Sequence, residues 1–186
     1  MGRNAGMTLL EILLTLGLLG ILLGIALPDL DHWTEAVRAR QITRSLATQI
    51  ALARSTAAAR QQWVSLCPTV DQLRCGGSWQ QGSMMFSDRN GDRRVNQDDE
   101  VIRLHGPLPA GETLQWRAFG SRPYLQVEPS GFMRHQSGNF TWCPASREVR
   151  FARQLVVNAT GRVRLSRDSD GDGIDEDSAG NPLTCP

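Results

Sequence analysis

From Met7 to Leu27 the chain reads MTLLEILLTLGLLGILLGIAL, an apolar run that carries a single charge, Glu11. The hydrocarbon core of a bilayer, about 30 Å thick, takes about 20 apolar residues in a helix, so this segment is expected to span a membrane. A carboxylate within such a span costs roughly 2.5–3.5 kcal/mol at mid-bilayer and less towards its edge. Glu11 stands near the front of the run, and its presence there calls for a partner that assembly with other subunits would supply.

Only MGRNAG precedes the run, with Arg3 as its one charge, so the positive-inside tendency puts the short end in the cytoplasm and the remainder across the membrane. A secretory signal has a shorter apolar stretch followed by a small-residue cleavage site, whereas here the small residue, Gly6, comes first. All four cysteines, Cys67, Cys75, Cys143 and Cys185, lie after the apolar run, and none forms a CxxC pair. Metal ligation favours such tight pairs, so two disulfides in an oxidising compartment are expected. Of the three connectivities, Cys67–Cys75 and Cys143–Cys185 are preferred: one closes a short loop, the other pins the C-terminus to the body.

Pro28 follows the apolar run, where its ring and missing N–H would kink a helix. Beyond it, Leu30, Trp33, Val37, Ile42, Leu46, Ile50, Ala53 and Ala57 recur at threes and fours, the stripe of an amphipathic helix over 29–60. Arg38, Arg40, Arg44, Arg54 and Arg60 fall largely off that stripe. The stripe is expected to pack beneath a β domain. From Gln61 onward the period changes, and eight short runs qualify as strands: Trp63–Cys67, Ser83–Phe86, Glu100–His105, Thr113–Arg117, Tyr124–Val127, Phe140–Cys143, Arg153–Val157 and Gly161–Ser166. Gly- and Pro-containing turns separate them. The expected fold class is α+β, a long helix packed on two small antiparallel sheets.

Two acidic loops and one basic strand carry the chemistry. Asp88, Asn90 and Asp92 occupy positions 1, 3 and 5 of a possible calcium loop, but Arg93 stands where glycine belongs, so a tight Asn90-Gly91 turn is the expected structure. The second loop, Asp168-Ser169-Asp170-Gly171-Asp172-Gly173, has the glycine, and Asp175 and Asp177 complete a possible shell for calcium. It is similar to the DxDxDG repeat of thrombospondin-type calcium loops. Every basic residue of the chain is arginine, and net charge is only +1, so no bulk attraction to nucleic acid exists. Local attraction does: Arg147, Arg150, Arg153, Arg162, Arg164 and Arg167 lie between Pro144 and Arg167 against one acid, Glu148. In a strand Arg162 and Arg164 share a face, and two guanidinium forks suit successive backbone phosphates. Pairing of these arginines with the adjacent acids is the other arrangement open to them. His32, His105 and His135 are far apart in sequence, without a nucleophile or metal motif, so no enzyme is expected.

Gly6 followed by Met7-Thr8-Leu9-Leu10-Glu11 resembles a type IV prepilin processing site. The order of leader, long helix, Cys67-to-Cys75 loop, Gly82-to-Phe86 strand, Asn90-Gly91 turn and arginine-rich strand resembles the GspH/FimT group of minor pilins and pseudopilins. The resemblance implies a leader over 1–6, a transmembrane and filament-core helix over 7–27, an amphipathic helix over 28–61 and a β-rich domain over 62–186, together the type IV pilin fold. It implies cleavage by prepilin peptidase between Gly6 and Met7, N-methylation of Met7, and pairing of Glu11 with the amino terminus of a neighbouring pilin. The expected location is the inner membrane, with the C-terminal domain in the periplasm, and then a filament. Gly161-Arg162-Val163-Arg164 matches the Gly-Arg-x-Arg of FimT-type pilins, which implies double-stranded DNA as a partner for Arg162, Arg164 and Arg167. The alternatives within the resemblance are a FimU-like priming subunit without DNA contact and a pseudopilin of a type II secretion system.

Overall fold

The computed structural model describes residues 7–133 and 136–186, and within the long helix the side chains of residues 25–31 are left aside. Gly6, Arg134 and His135 thus lie outside the described residues. Helix α1, Leu9–Arg60, is helical in backbone through Pro28, and the chain divides into two compact units, 1–38 and 39–186.

In the first unit the side chains from Met7 to Gly24 are all exposed. The expected membrane segment is helical in backbone from Leu9 through Leu27. Among the described residues no helix is long and apolar enough to cross a membrane. The forward end of the amphipathic stripe also departs from expectation. Trp33 and Val37 are 63% and 39% exposed, because they precede the unit whose sheets bury the rest. Leu30 is among the side chains left aside.

In the second unit, Ala39, Ile42, Leu46, Ile50, Ala53 and Ala57 of α1 are buried, following the sequence stripe. Eight strands are present among the described residues: β1 (Val64–Pro68), β2 (Ser83–Ser87), β3 (Val101–His105), β4 (Thr113–Ala118), β5 (Leu125–Val127), β6 (Gly138–Cys143), β7 (Arg153–Val157) and β8 (Val163–Leu165). They form two antiparallel sheets, ordered β3-β2-β1-β5 and β4-β6-β7-β8. One core joins the helix to both sheets: the stripe meets Val64, Leu66, Met85 and Leu125 from the first and Leu114, Phe140, Trp142 and Leu155 from the second. At its centre Phe140 stacks against Trp116 at 4.5 Å between centroids and meets Trp79 edge-on at 4.7 Å. Such offset and edge-to-face pairs add roughly 0.5–1.5 kcal/mol to area burial.

Every residue of β1 and β2 is buried, so the first sheet needs cover on both faces. The second face is covered by a small cluster of Cys67, Met84 and Phe86 with Cys75, Val95 and Tyr124, which the Cys67–Cys75 disulfide holds in place. The Asp88 turn belongs to the same framework. Asp88 is fully buried, and its Oδ2 accepts from the Ser65 hydroxyl, the Arg93 N–H and the Gln126 amide. The acid thereby ties the Asn90-Gly91 turn to β1 and β5, a structural task. The second disulfide, Cys143–Cys185, joins the end of β6 to the C-terminus, and Ala152 and Leu183 pack around it.

Candidate nucleic-acid interface

Strand β8 is the edge of the second sheet, with Val163, Arg164 and Leu165 opposite Val157, Val156 and Leu155 of β7. Leu155 and Val157 are buried, whereas Val156 is only half-buried, so Arg164 shares the outer face with Val156. Arg162 lies one residue before the strand and falls on that same face by alternation. The approach to the edge is built by a four-residue turn. The Asn158 side-chain oxygen accepts from the N–H groups of Thr160 and Arg162 at 3.1 and 2.9 Å, and Gly161 N–H donates to the Asn158 carbonyl at 2.8 Å.

Gly161 has a reason to be glycine that is independent of any ligand. Its φ of +73° lies in the left-handed region, and a Cβ there would stand 2.5 Å from Cδ of Arg54. Arg54, on α1, is half-buried and donates to the carbonyls of Gly131 and Gly161 at 2.9 and 3.2 Å. The sequence places Arg54 simply off the apolar stripe; the structure makes it the clamp that holds the basic edge to the helix. Gly161→Ala is therefore expected to destabilise the protein by about 2 kcal/mol, since the left-handed backbone alone costs roughly 1–2 kcal/mol. Urea unfolding checks this, and a loss below about 0.5 kcal/mol would mean that Arg54 yields without cost.

The six arginines of the C-terminal stretch divide into two groups. Arg147 donates to the Pro186 carbonyl, Arg150 pairs with Glu148 at 2.7 Å, and Arg153 lies 3.6 Å from the Asp175 carboxylate. Arg162, Arg164 and Arg167 are exposed, and among the described residues their guanidinium groups have neither a hydrogen-bond nor an ion-pair partner. The expected alternative, pairing with the neighbouring acids, is not formed among the described residues, and the acids accept instead from loop N–H groups and a hydroxyl. Asp168 accepts from the N–H groups of Gly171 and Gly173, Asp170 from Asp172, and Asp172 from Ile174. Asp175 takes the Ser166 hydroxyl, and Asp177 takes the N–H groups of Ala179 and Asn181. Those bonds, led by that from Asn181, hold the Asp177 carboxyl below its ordinary pKa.

Sequence reasoning missed one basic residue on this face. Arg117 of β4 lies opposite Asn139, Asn139 opposite Val156, and Val156 opposite Arg164, so one row crosses the sheet from Arg117 to Arg164. Three strand spacings separate the two arginines, about 14 Å. Arg117 is exposed and likewise unpaired among the described residues. No local signal marks it, because only strand pairing brings it into line with Arg164.

The acidic loop also differs from its expected form. Carboxylate oxygens of Asp168, Asp170, Asp172 and Glu176 all lie within 4.8 Å of one another. Asp175 and Asp177, expected in the shell, point to Ser166 and Arg153 and to the 177–181 turn, respectively. The backbone explains the exchange. Glu176 bridges in antiparallel fashion to Arg167 on one side and Pro182 on the other, which turns its side chain towards Ser169 and its two neighbours away.

Comparison with known proteins places these features. The family model described as type II transport protein GspH matches residues 43–161. The pilin-like protein PilA1 of Thermus thermophilus is 41% identical over 166 residues, which is 86% of this chain and 97% of that one. Among solved structures, the type IV minor pilin FimU of Pseudomonas aeruginosa has a TM-score of 0.55 at 18% identity, over 83% of this chain and 99% of its own. The minor pseudopilin EpsH from the type 2 secretion system of Vibrio cholerae has a TM-score of 0.50 at 16% identity, over 68% and 94%. At these identities the two structures speak for the fold, a helix packed on two antiparallel sheets.

Proposed function

Since the chain belongs to the GspH family, a minor pilin or pseudopilin of the GspH/FimT group, we propose that it is a non-enzymatic filament subunit that binds double-stranded DNA for uptake. The observation that carries this reading is the set of three exposed guanidinium groups, Arg162, Arg164 and Arg167, without partners among the described residues. Some arginines of the domain are anchored, Arg54 on carbonyls, Arg60 on Glu100 and Arg74 on Asp71, whereas Arg89, Arg94, Arg103 and Arg117 are exposed like the three but do not follow one another along one strand edge. An edge strand with free arginines presents donors to phosphates without any cost of breaking internal pairs. Such contacts are independent of base sequence and weaken steeply with salt.

In this reading the chain enters the inner membrane through Met7 to Leu27, prepilin peptidase cleaves between Gly6 and Met7, and Met7 is N-methylated. Glu11 then pairs with the amino terminus of an adjacent pilin as the subunit moves from lipid into the filament. The two disulfides suit a domain exposed to the periplasm and the medium.

The test is a deletion strain scored for piliation, transformation and protein secretion together. Loss of transformation with pili and secretion intact is the expected result. Loss of pili would assign an assembly role instead, and loss of secretion a place in a type II pseudopilus.

A further inference from the structure

We infer that the loop from Asp168 to Glu176 is a calcium site whose ligands are Asp168, Asp170, Asp172 and Glu176. The inference does not rest on the DNA reading. Four carboxylates converge to within 4.8 Å, and among the described residues none of the four forms an ion pair with an arginine. Such a concentration of like charge is unfavourable unless a cation balances it.

A second observation concerns Glu176, the buried member of the cluster. Glu176 is only 9% exposed, and its Oε1 is buried without a hydrogen-bond partner among the described residues. Its Oε2 is satisfied by the N–H and hydroxyl of Ser169. A buried, unpartnered carboxylate oxygen is costly in a folded protein, and a metal ion supplies what no donor of the chain does. Two of the aspartates retain an unused oxygen too, while both oxygens of Asp168 accept from N–H groups of the loop. In Asp170 and Asp172 the backbone N–H groups engage only Oδ1, which leaves Oδ2 of each for a ligand.

The donor set selects the ion. All four donors are hard carboxylate oxygens, without histidine or cysteine, which suits calcium or magnesium over zinc or copper. Calcium binds oxygens at about 2.3–2.6 Å, so ligands on opposite sides of the ion lie about 4.6–5.2 Å apart, a range that includes the observed limit of 4.8 Å. Magnesium needs about 2.0–2.1 Å and gives up its waters reluctantly, so it would require the loop to contract. A bound calcium would tie the strand exit after Arg167 to the C-terminal segment, since Glu176 already bridges to both Arg167 and Pro182. With the Cys143–Cys185 disulfide, it would fasten that segment at two points.

The experiment is titration of the full chain, in detergent and freed of metal by chelation, with calcium chloride. It is followed by calorimetry and by the thermal unfolding midpoint. One ion per chain and a raised midpoint are expected. Asp170→Asn with Asp172→Asn, both on the exposed loop, should weaken binding at least tenfold and, by relieving the like-charge repulsion, raise the midpoint in chelator. Glu176→Gln, which keeps the shape of the side chain, should weaken binding as well. No heat and no midpoint shift in the unmodified protein would overturn the site. Undiminished binding in the double variant would also overturn it, because the ion would then lie elsewhere. An equal midpoint shift from magnesium chloride at the same concentration would overturn the assignment to calcium.

Discussion

Arg162→Gln combined with Arg164→Gln is expected to weaken binding of double-stranded DNA about tenfold or more at moderate salt, and to flatten its salt dependence. The magnitude follows from counterion release. Each phosphate contact contributes about 0.9 to the slope of log affinity against log salt, so loss of two should reduce that slope by about two. Glutamine keeps a polar side chain but loses the charge and the guanidinium fork. Stability should be nearly unaffected, within about 0.5 kcal/mol, since both side chains are exposed and unpaired among the described residues. A control comes from the same stretch. Arg150→Gln also removes one positive charge, but Arg150 is already paired with Glu148, so its effect on the slope should be smaller. Filter binding or fluorescence anisotropy across a salt series measures these quantities. An unchanged slope in the double variant would refute DNA contact at this edge. Arg117→Gln extends the test across the sheet: an added loss would mean that DNA lies along the row from β4 to β8 rather than on the edge alone.

Glu11→Ala is expected to leave the protein in the membrane fraction and to abolish its recovery in sheared filaments. Glu11 is in the first turn of α1, where its backbone N–H donates to the Thr8 carbonyl at 3.1 Å. Its carboxylate is exposed amid apolar side chains and has no partner among the described residues of the chain. In lipid that is unfavourable by up to a few kcal/mol, and alanine removes the penalty, so insertion should be preserved or improved. In the filament the same carboxylate would meet an amino terminus in a low-dielectric surrounding, where breaking a pair by removing one member costs about 3–5 kcal/mol. Membrane and filament fractions compared by immunoblot would separate the two effects. Filaments that contain the alanine variant at the normal level would rule out the pairing.

The parts of this chain that sequence reveals are those governed by local period and spacing. Ile42, Leu46, Ile50, Ala53 and Ala57 announce a buried helix face because a helix repeats every 3.6 residues, and all five are buried. The eight strands appear where β-branched and aromatic runs stand between turn residues, and their observed bounds shift by a residue or two at some ends, where only hydrogen bonding decides the limit. The stripe misled at Trp33 and Val37, since periodicity says which face is apolar but not how far along the helix a sheet extends to cover it.

The basic edge was legible as composition and illegible as geometry. Six arginines in one stretch look alike in sequence, and the fold sorts them: three are held by Pro186, Glu148 and Asp175, and three are left to solvent. The acidic loop shows the same division. Its aspartate spacing could be read directly, yet Glu176 replaced Asp175 and Asp177 in the cluster, because a pair of long-range bridges rotates the backbone there. Sequence alone determined the apolar segment with its one carboxylate, the class of the domain behind it and the residues that carry charge. Tertiary structure alone decided which of those charges are spent inside the molecule, because pairing depends on distances between residues that strand register and loop closure bring together.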